Sequence, residues 1–400
     1  MEQPVFIHVG FCNTGTTSLQ QNFFAERQDI FFVGEPYGER GGIFTAIKSV
    51  EDFNFDAPRI AARCKDLIEA KSSGRTIVIS DETLCEPPQL YVSRYVMPRD
   101  TIALRLRQFF PSAKIIFTIR DQRDYVTSMY LNIKRNSSRF DRMPVPSFSH
   151  WLETNLAQDR SFFLQNLNFM ETIRIYEDIF GHDNICVLPL ESLIEDGVEQ
   201  YLEKLCDFMG LELGDRDIRN YAHVHNRRMS LHEELAAELL VDDRFARLFG
   251  GLAESIGRTQ LDAALDNGPR ASVDLSPADE EKIRHRVEVG NWLLARDFGL
   301  DLRRWGYPIA DEQLRPQQLR LAEEECRYQT DMDRLRSGQK SPEEAEIRRA
   351  TEVAALRSRL YHLTAELETV SRSPVWRTVR RVDGALRFMS HATAVILGLF

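Results

Sequence analysis

Pro4-Val-Phe-Ile-His-Val-Gly10-Phe-Cys-Asn-Thr-Gly15-Thr-Thr-Ser-Leu-Gln20 is a short apolar run, then a small-residue loop between two glycines, then the opening of a helical stretch reaching about Arg27. A strand, a glycine-containing turn and a helix in that order expose backbone N–H groups at the helix start, which makes a cradle for an anion. Thr14, Thr16, Thr17 and Ser18 add hydroxyl donors. The competing reading is an ordinary strand-to-helix turn with a capping threonine. Placement at the first strand-helix turn of the chain favours a phosphate. A nucleoside-triphosphate loop needs Lys followed by Ser or Thr after its second glycine, whereas Gly15 is followed by Thr16.

Moving outward, a helical stretch over 58–70 leads to the apolar run Thr76-Ile-Val-Ile-Ser80, a buried strand. Asp100 is placed to cap a helix running to about Phe110, which Pro111 breaks, and Lys114-Ile-Ile-Phe-Thr-Ile119 is the next strand. A helix through Ile173 to Asp178 precedes a fourth strand, Ile185-Cys-Val-Leu-Pro189, and helices follow at about 196–209, 230–256 and 277–298. Short apolar runs alternating with helices predict an α/β fold, a P-loop-like doubly wound parallel sheet flanked by helices. His8 reads as a sheet residue packed in its strand, with a catalytic role as the lesser alternative.

At 400 residues and 43% hydrophobic content there is room for one large domain and an appendage. A net charge of −10 argues against a protein that coats nucleic acid, so no nucleic-acid partner is expected. The six cysteines are scattered without a CxxC pair, which suggests neither a disulfide framework nor a zinc site, and no metal is expected. No leader pattern and no apolar run of about 20 residues is visible, so the expectation is a cytoplasmic protein.

Two further stretches carry chemistry. Arg120 follows the strand 114–119 directly, where open α/β sheets bind ligands, and its planar fork suits a second phosphate. Ser128, on the ensuing helix, is placed to share that phosphate; alternatively Arg120 pairs with Asp121 or Asp124 at the surface. Ile79-Ser-Asp-Glu82 ends another strand and offers a carboxylate as general base. The competing readings are Asp81 as a helix cap and the pair as a magnesium-binding carboxylate that lacks its P-loop lysine.

Strand-Gly-x₄-Gly-Thr-Thr-Ser-Leu-Gln near the N-terminus and strand-Ile-Arg-Asp-x-x-Asp-x-x-x-Ser about 100 residues later together resemble the two nucleotide-binding motifs of the sulfotransferase family. The resemblance extends more loosely to about residue 307 and is similar to bacterial carbohydrate sulfotransferases. It implies that 3′-phosphoadenosine 5′-phosphosulfate (PAPS) is the donor, with no metal required. It also implies that Asn13, Thr14, Gly15, Thr16, Thr17 and Ser18 line its 5′ end, while Arg120 and Ser128 hold its 3′-phosphate. Glu82 is implied as the catalytic base, ahead of Asp81. The family usually has lysine where this chain has Asn13, a residue that donates a hydrogen bond but does not neutralise charge. Arg40, Lys48 and Lys134 are the alternative sources of a cation. The expected activity is transfer of a sulfuryl group to a glycan or lipid-linked saccharide. The alternatives are a PAPS- or PAP-binding assembly protein impaired in catalysis by Asn13, and a nucleotide kinase on the same core.

Composition changes near residue 310, dividing the chain into a nucleotide-binding domain at 1–310, a helical or coiled-coil extension at 311–372 and a basic amphipathic helix with an apolar tail at 373–400. Val353, Leu356, Leu360, Leu363, Leu367 and Val370 form a heptad seam, which predicts pairing of chains through 353–370. Ser373-Pro-Val-Trp-Arg377 resembles an element that follows coiled coils in bacterial surface-polysaccharide enzymes. Arg377, Arg380, Arg381 and Arg387 beside Trp376 suit the surface of an anionic bilayer, so the expected location is the inner membrane face; the alternative is a helix docked on protein.

Overall fold

Five runs dominated by Ile, Val and Phe form one sheet: β1 Val5–His8, β2 Ile30–Gly34, β3 Thr76–Ser80, β4 Lys114–Ile119 and β5 Ile185–Pro189. The computed structural model describes residues 4–34, 47, 57–72, 74–85, 99–136, 145–157, 167–221, 229–239 and 242–310. The strand order is β2-β3-β1-β4-β5 and every pairing is parallel, with Phe6 opposite Val78 and His8 opposite both Ser80 and Ile116. Such pairings need crossovers, and these are supplied by helices. They are α1 Thr16–Leu19, α2 Ala57–Lys71, α3 Arg99–Phe109, α4 Gln122–Asn136, α5 Phe148–Ala157 and α6 Phe169–Phe180, and α7 Leu190–Glu195 follows the last strand. Beyond β5 the chain continues as α8 Val198–Met209, α9 Asp215–Tyr221, α10 Leu231–Leu239, α11 Asp243–Ile256, α12 Arg258–Asp266 and α13 Pro277–Phe298.

Side chains alternate across the strands, and both faces are apolar because both are covered. On one face Phe6, Val78, Ile116 and Leu188 pack with Leu19, Phe23 and Phe24 of the first helical stretch and with Tyr201, Leu202 and Leu205 of α8. On the other, Phe117 meets Phe11 and Tyr176, and Phe169 lies between Phe11 and Tyr125. Each such fully buried aromatic or aliphatic side chain contributes about 1.5–3 kcal/mol. β1 sends the chain toward β3 and β4 returns on its other side. The crevice at the C-terminal ends of β1 and β4 is therefore the switch point at which doubly wound sheets bind ligands.

The four strands read from sequence are present, and β2 is an additional edge strand. The first helical stretch is shorter than expected: after one α-turn it widens to a π-turn over Gln20–Phe24 and stops before Arg27. Gln20 donates from Nε2 to Ser80 Oγ at 3.0 Å, anchoring that widened turn to the sheet. The stretch 230–256 is two helices, because the Asp242 N–H turns back onto Leu239 O. Helix α13 spans 277–298 as read: Ser276 caps it through the Asp279 N–H, Pro277 follows, and Gly299 closes it in the left-handed region. Among the described residues no helix is long and apolar enough to cross a membrane. The heptad 353–370, the tail 373–400 and the boundaries inside 311–400 lie outside the described residues.

Candidate functional site

The first loop leaves the sheet still bonded to β4. The Val9 N–H reaches Ile116 O at 3.0 Å and the Phe11 N–H reaches Thr118 O at 3.3 Å. A Cβ at Gly10 would collide with Thr118 Oγ1 and come within 2.8 Å of His8 Nε2, so only glycine lets the chain pass there. Asn13 (φ 60°) and Gly15 (φ 89°) both adopt the left-handed conformation, which asparagine tolerates better than most residues and glycine adopts without penalty. Gly15 is also crowded, since a Cβ would lie 2.9 Å from Leu190 Cδ1.

The loop's side chains divide by direction. Thr14 is fully buried and its hydroxyl turns inward, donating to Phe11 O at 2.5 Å and lying 2.7 Å from Thr118 Oγ1. Thr16 is also buried and donates to Glu82 Oε2 at 2.6 Å. Thr17 and Ser18 are half-buried in the first turn of α1, with the Ser18 N–H bonded to Gly15 O at 3.1 Å. Glu82 opens a short 3-10 turn after β3, held by the Leu84 N–H on Asp81 O, while the Asp81 N–H bonds His8 O at 3.2 Å. Glu82 is thus brought against the loop through Thr16, a contact that no spacing in the sequence announces.

Arg120 sits at the end of β4 and joins the two motifs. Its Nη1 donates to the Asn13 carbonyl at 3.3 Å and its Nη2 pairs with Asp124 Oδ2 at 3.1 Å. Its Nε is buried and has no hydrogen-bond partner. An unmatched buried guanidinium N–H is costly unless an acceptor meets it, so this atom fits a site for an anion. Of the two surface pairings read from the sequence, Arg120 forms the one with Asp124, while Asp121 pairs with Arg123 instead. Ser128 is half-buried on α4, one turn beyond Asp124.

The Asn13 carboxamide faces α4, its Nδ2 donating to Met129 Sδ at 2.8 Å. Of the alternative cations, Lys134 is on α4 and engaged by Glu234 at 2.8 Å and Glu238 at 2.7 Å, which hold its ammonium above the ordinary lysine range against the opposing effect of burial. Arg40 and Lys48 lie outside the described residues.

Several supporting residues carried no signal in the sequence. Glu191 on α7 accepts the Asp121 N–H at 3.0 Å and the Tyr307 hydroxyl at 2.5 Å, and burial raises its carboxyl above the usual range. Gln122 and Asn291 exchange amide hydrogen bonds of 2.7 and 2.9 Å, and Asn291 also reaches Pro308 O at 2.8 Å. Arg123 donates to Gly306 O at 2.5 Å. Asp121, Gln122 and Arg123, next to Arg120, are therefore braced from 191 and from 291–308. Among the described residues no group of three or more His, Cys, Asp or Glu is arranged to hold a metal ion.

The model of the sulfotransferase family matches residues 4–215, more than half of the chain. A sulfotransferase from Alicyclobacillus acidocaldarius is similar at 16% identity and TM-score 0.47, covering 76% of this chain and 99% of that one. A mouse sulfotransferase complexed with PAP is similar at 15% identity and TM-score 0.34, covering 66% of this chain and 88% of that one. A sulfotransferase domain from the curacin biosynthetic pathway is similar at 13% identity and TM-score 0.38, covering 71% of this chain and 97% of that one. No curated protein matches.

Proposed function

We propose that this chain, which belongs to the sulfotransferase family, moves a sulfuryl group from PAPS to a hydroxyl of a glycan or lipid-linked saccharide. The observation that carries the reading is the convergence of three groups at the C-terminal ends of β3, β1 and β4. These are the loop Gly10–Ser18, the Glu82 carboxylate held by Thr16, and an arginine whose buried Nε lacks an acceptor.

The donor supplies an activated sulfuryl group when bound. Arg120 and Ser128 are assigned the 3′-phosphate, and Asn13 to Ser18 the 5′ end, through loop N–H groups. Glu82 accepts the proton of the attacking hydroxyl while the new O–S bond forms and the S–O bond to phosphate breaks. Thr16 fixes the carboxylate by donating to its Oε2. The loop holds the departing phosphate. Calorimetry tests the donor assignment: 3′,5′-bisphosphoadenosine should bind without magnesium and more tightly than ATP. Tighter, magnesium-dependent binding of ATP would instead indicate a kinase. Transfer of sulfate from PAPS across a panel of glycans and lipid-linked saccharides then identifies the acceptor.

One observation favours a second reading, a nucleotide-binding assembly protein slowed in catalysis. The Asn13 carboxamide is engaged by Met129, and a neutral group stands where the family usually has a cation. Asn13→Lys separates the two: a faster turnover at similar nucleotide affinity marks an enzyme lacking one charge. Intact binding without turnover in either form marks the assembly protein.

The heptad 353–370 and the basic tail 373–400 support a paired chain resting on the inner face of a membrane. Co-sedimentation with anionic vesicles, comparing the full chain with one ending at Ala310, tests this. Equal binding of the two removes the membrane from the proposal.

A further inference from the structure

We propose that His8 and Thr118 are positioning residues that hold the loop Gly10–Gly15 in its ligand-ready form through a one-way chain of buried hydrogen bonds. The chain crosses the C-terminal ends of β3, β1 and β4. Gln20 Nε2 lies 3.0 Å from Ser80 Oγ, Ser80 Oγ 2.8 Å from His8 Nδ1, His8 Nε2 3.4 Å from Thr118 Oγ1, Thr118 Oγ1 2.7 Å from Thr14 Oγ1, and Thr14 Oγ1 2.5 Å from Phe11 O. Gln20 is 7% exposed, His8 1%, and Ser80, Thr118 and Thr14 are 0% exposed, so water does not interrupt the series.

Counting hydrogens fixes its direction. The Phe11 carbonyl only accepts, so Thr14 spends its single hydroxyl hydrogen there. The hydrogen between the two threonines must then come from Thr118. Thr118 has none left for the imidazole and accepts from it, which places the ring hydrogen on His8 Nε2. Nδ1 is then bare and accepts from Ser80, whose oxygen accepts the Gln20 amide. In the opposite tautomer the Thr118 hydrogen would go to the ring, leaving two hydroxyl oxygens 2.7 Å apart with no hydrogen between them. Only the tautomer protonated at Nε2 satisfies every member, and a fully satisfied buried network is the kind that fixes one conformation. Its last link is the loop itself: Thr14 tied to Phe11, beneath the left-handed turn at Asn13 and Gly15. Gly10 closes over the imidazole and Thr118, without room for a Cβ.

The inference rests on the loop being the phosphate site, and its two tests separate that reading from the hydrogen-bond chain. Nitrogen-15 NMR of the full chain, with His8 assigned by its loss in His8→Gln, should show a neutral ring protonated at Nε2 and bare at Nδ1 from pH 7.5 to 5.5. A ring protonated at Nδ1, or one that titrates in that range, overturns the chain whatever the loop binds. Calorimetry with 3′,5′-bisphosphoadenosine should show Thr118→Val, which keeps shape but loses the hydroxyl, binding about 5- to 10-fold more weakly, the loss expected for one buried hydrogen bond. Thr118→Ser should recover most of that loss, which a packing role alone would not produce. Thr118→Val binding as tightly as the parent also overturns the proposal. If Thr118→Val does not fold, Ser80→Ala interrupts the series one link back and is judged by the same standard. A parent chain that binds no bisphosphate removes the phosphate reading, and the hydrogen-bond chain is then decided by NMR alone.

Discussion

The two motifs proposed to hold the donor are built on opposite principles. In the first, the buried hydroxyls are committed inward, Thr14 to Phe11 and Thr16 to Glu82, over a further buried layer of His8, Thr118, Ser80 and Gln20. In the second, Arg120 holds a carbonyl at 3.3 Å and an exposed aspartate at 3.1 Å, and one buried N–H is unmatched. The first loop is set in shape before any ligand arrives. The second motif is braced in its backbone but open at its guanidinium. Under the proposed function, such a site would place its rigidity where bonds are made and broken and its unsatisfied charge where affinity is gained.

The largest expected effect tests the rigid half. Glu82→Gln keeps an oxygen for the Thr16 hydroxyl but does not accept a proton at the same cost. The transfer rate should fall by roughly 10²–10⁴ with little change in nucleotide affinity. A rate within twofold of the parent would show that the proton goes elsewhere. The open half should respond in binding instead. Arg120→Ala should weaken a 3′-phosphorylated nucleotide by about 1.5–3 kcal/mol relative to its 3′-dephospho analogue. Equal losses for both, measured by calorimetry, would detach Arg120 from the 3′-phosphate.

A pH titration of stability addresses the layer below the loop. Burial lowers His8 from 6.5 to about 3, so between those values the unfolded chain binds a proton that the folded chain refuses. Its contribution is fully present above pH 6.5 and is lost as the pH falls, at up to about 1.4 kcal/mol per unit. Denaturant unfolding should show that added slope below pH 6.5 in the parent and not in His8→Gln. The smallest effect concerns the turn between the halves. With φ 60° at position 13, Asn13→Gly should leave stability within a few tenths of a kcal/mol, whereas Asn13→Ala should cost about 1 kcal/mol. Equal costs would show that the Met129 contact, rather than the backbone, determines asparagine there.

What was legible in the sequence follows from which interactions are local. Strands β1, β3, β4 and β5 are apolar runs ended by turn residues, and those from Thr76, Lys114 and Ile185 match the observed bounds. The edge strand Ile30–Gly34 escaped because it follows closely on the first helix and its Phe31 and Phe32 are only half-buried. The widened turn Gln20–Phe24 is tied at Gln20 to a serine 60 residues away, which local periodicity does not report. The loop and Arg120 were legible as motifs, and Glu82 through the resemblance. The roles of Thr118, Glu191 and Tyr307 were not, since each depends on a partner brought near only by the folded sheet. Two polar residues inside otherwise apolar strands, His8 and Thr118, were the available hint.

The brace behind Arg120 has a consequence for how the molecule is made. Gln122 finds its amide partner in Asn291, 169 residues later, and Arg123 finds Gly306 after 183. A ribosome delivers residues in order, so the nascent chain carries the first loop and Arg120 long before it carries the segment that steadies them. Throughout that interval the bonds that brace Gln122 and Arg123 from 291–306 cannot form. The brace is complete only once Tyr307 has been made and can donate to Glu191.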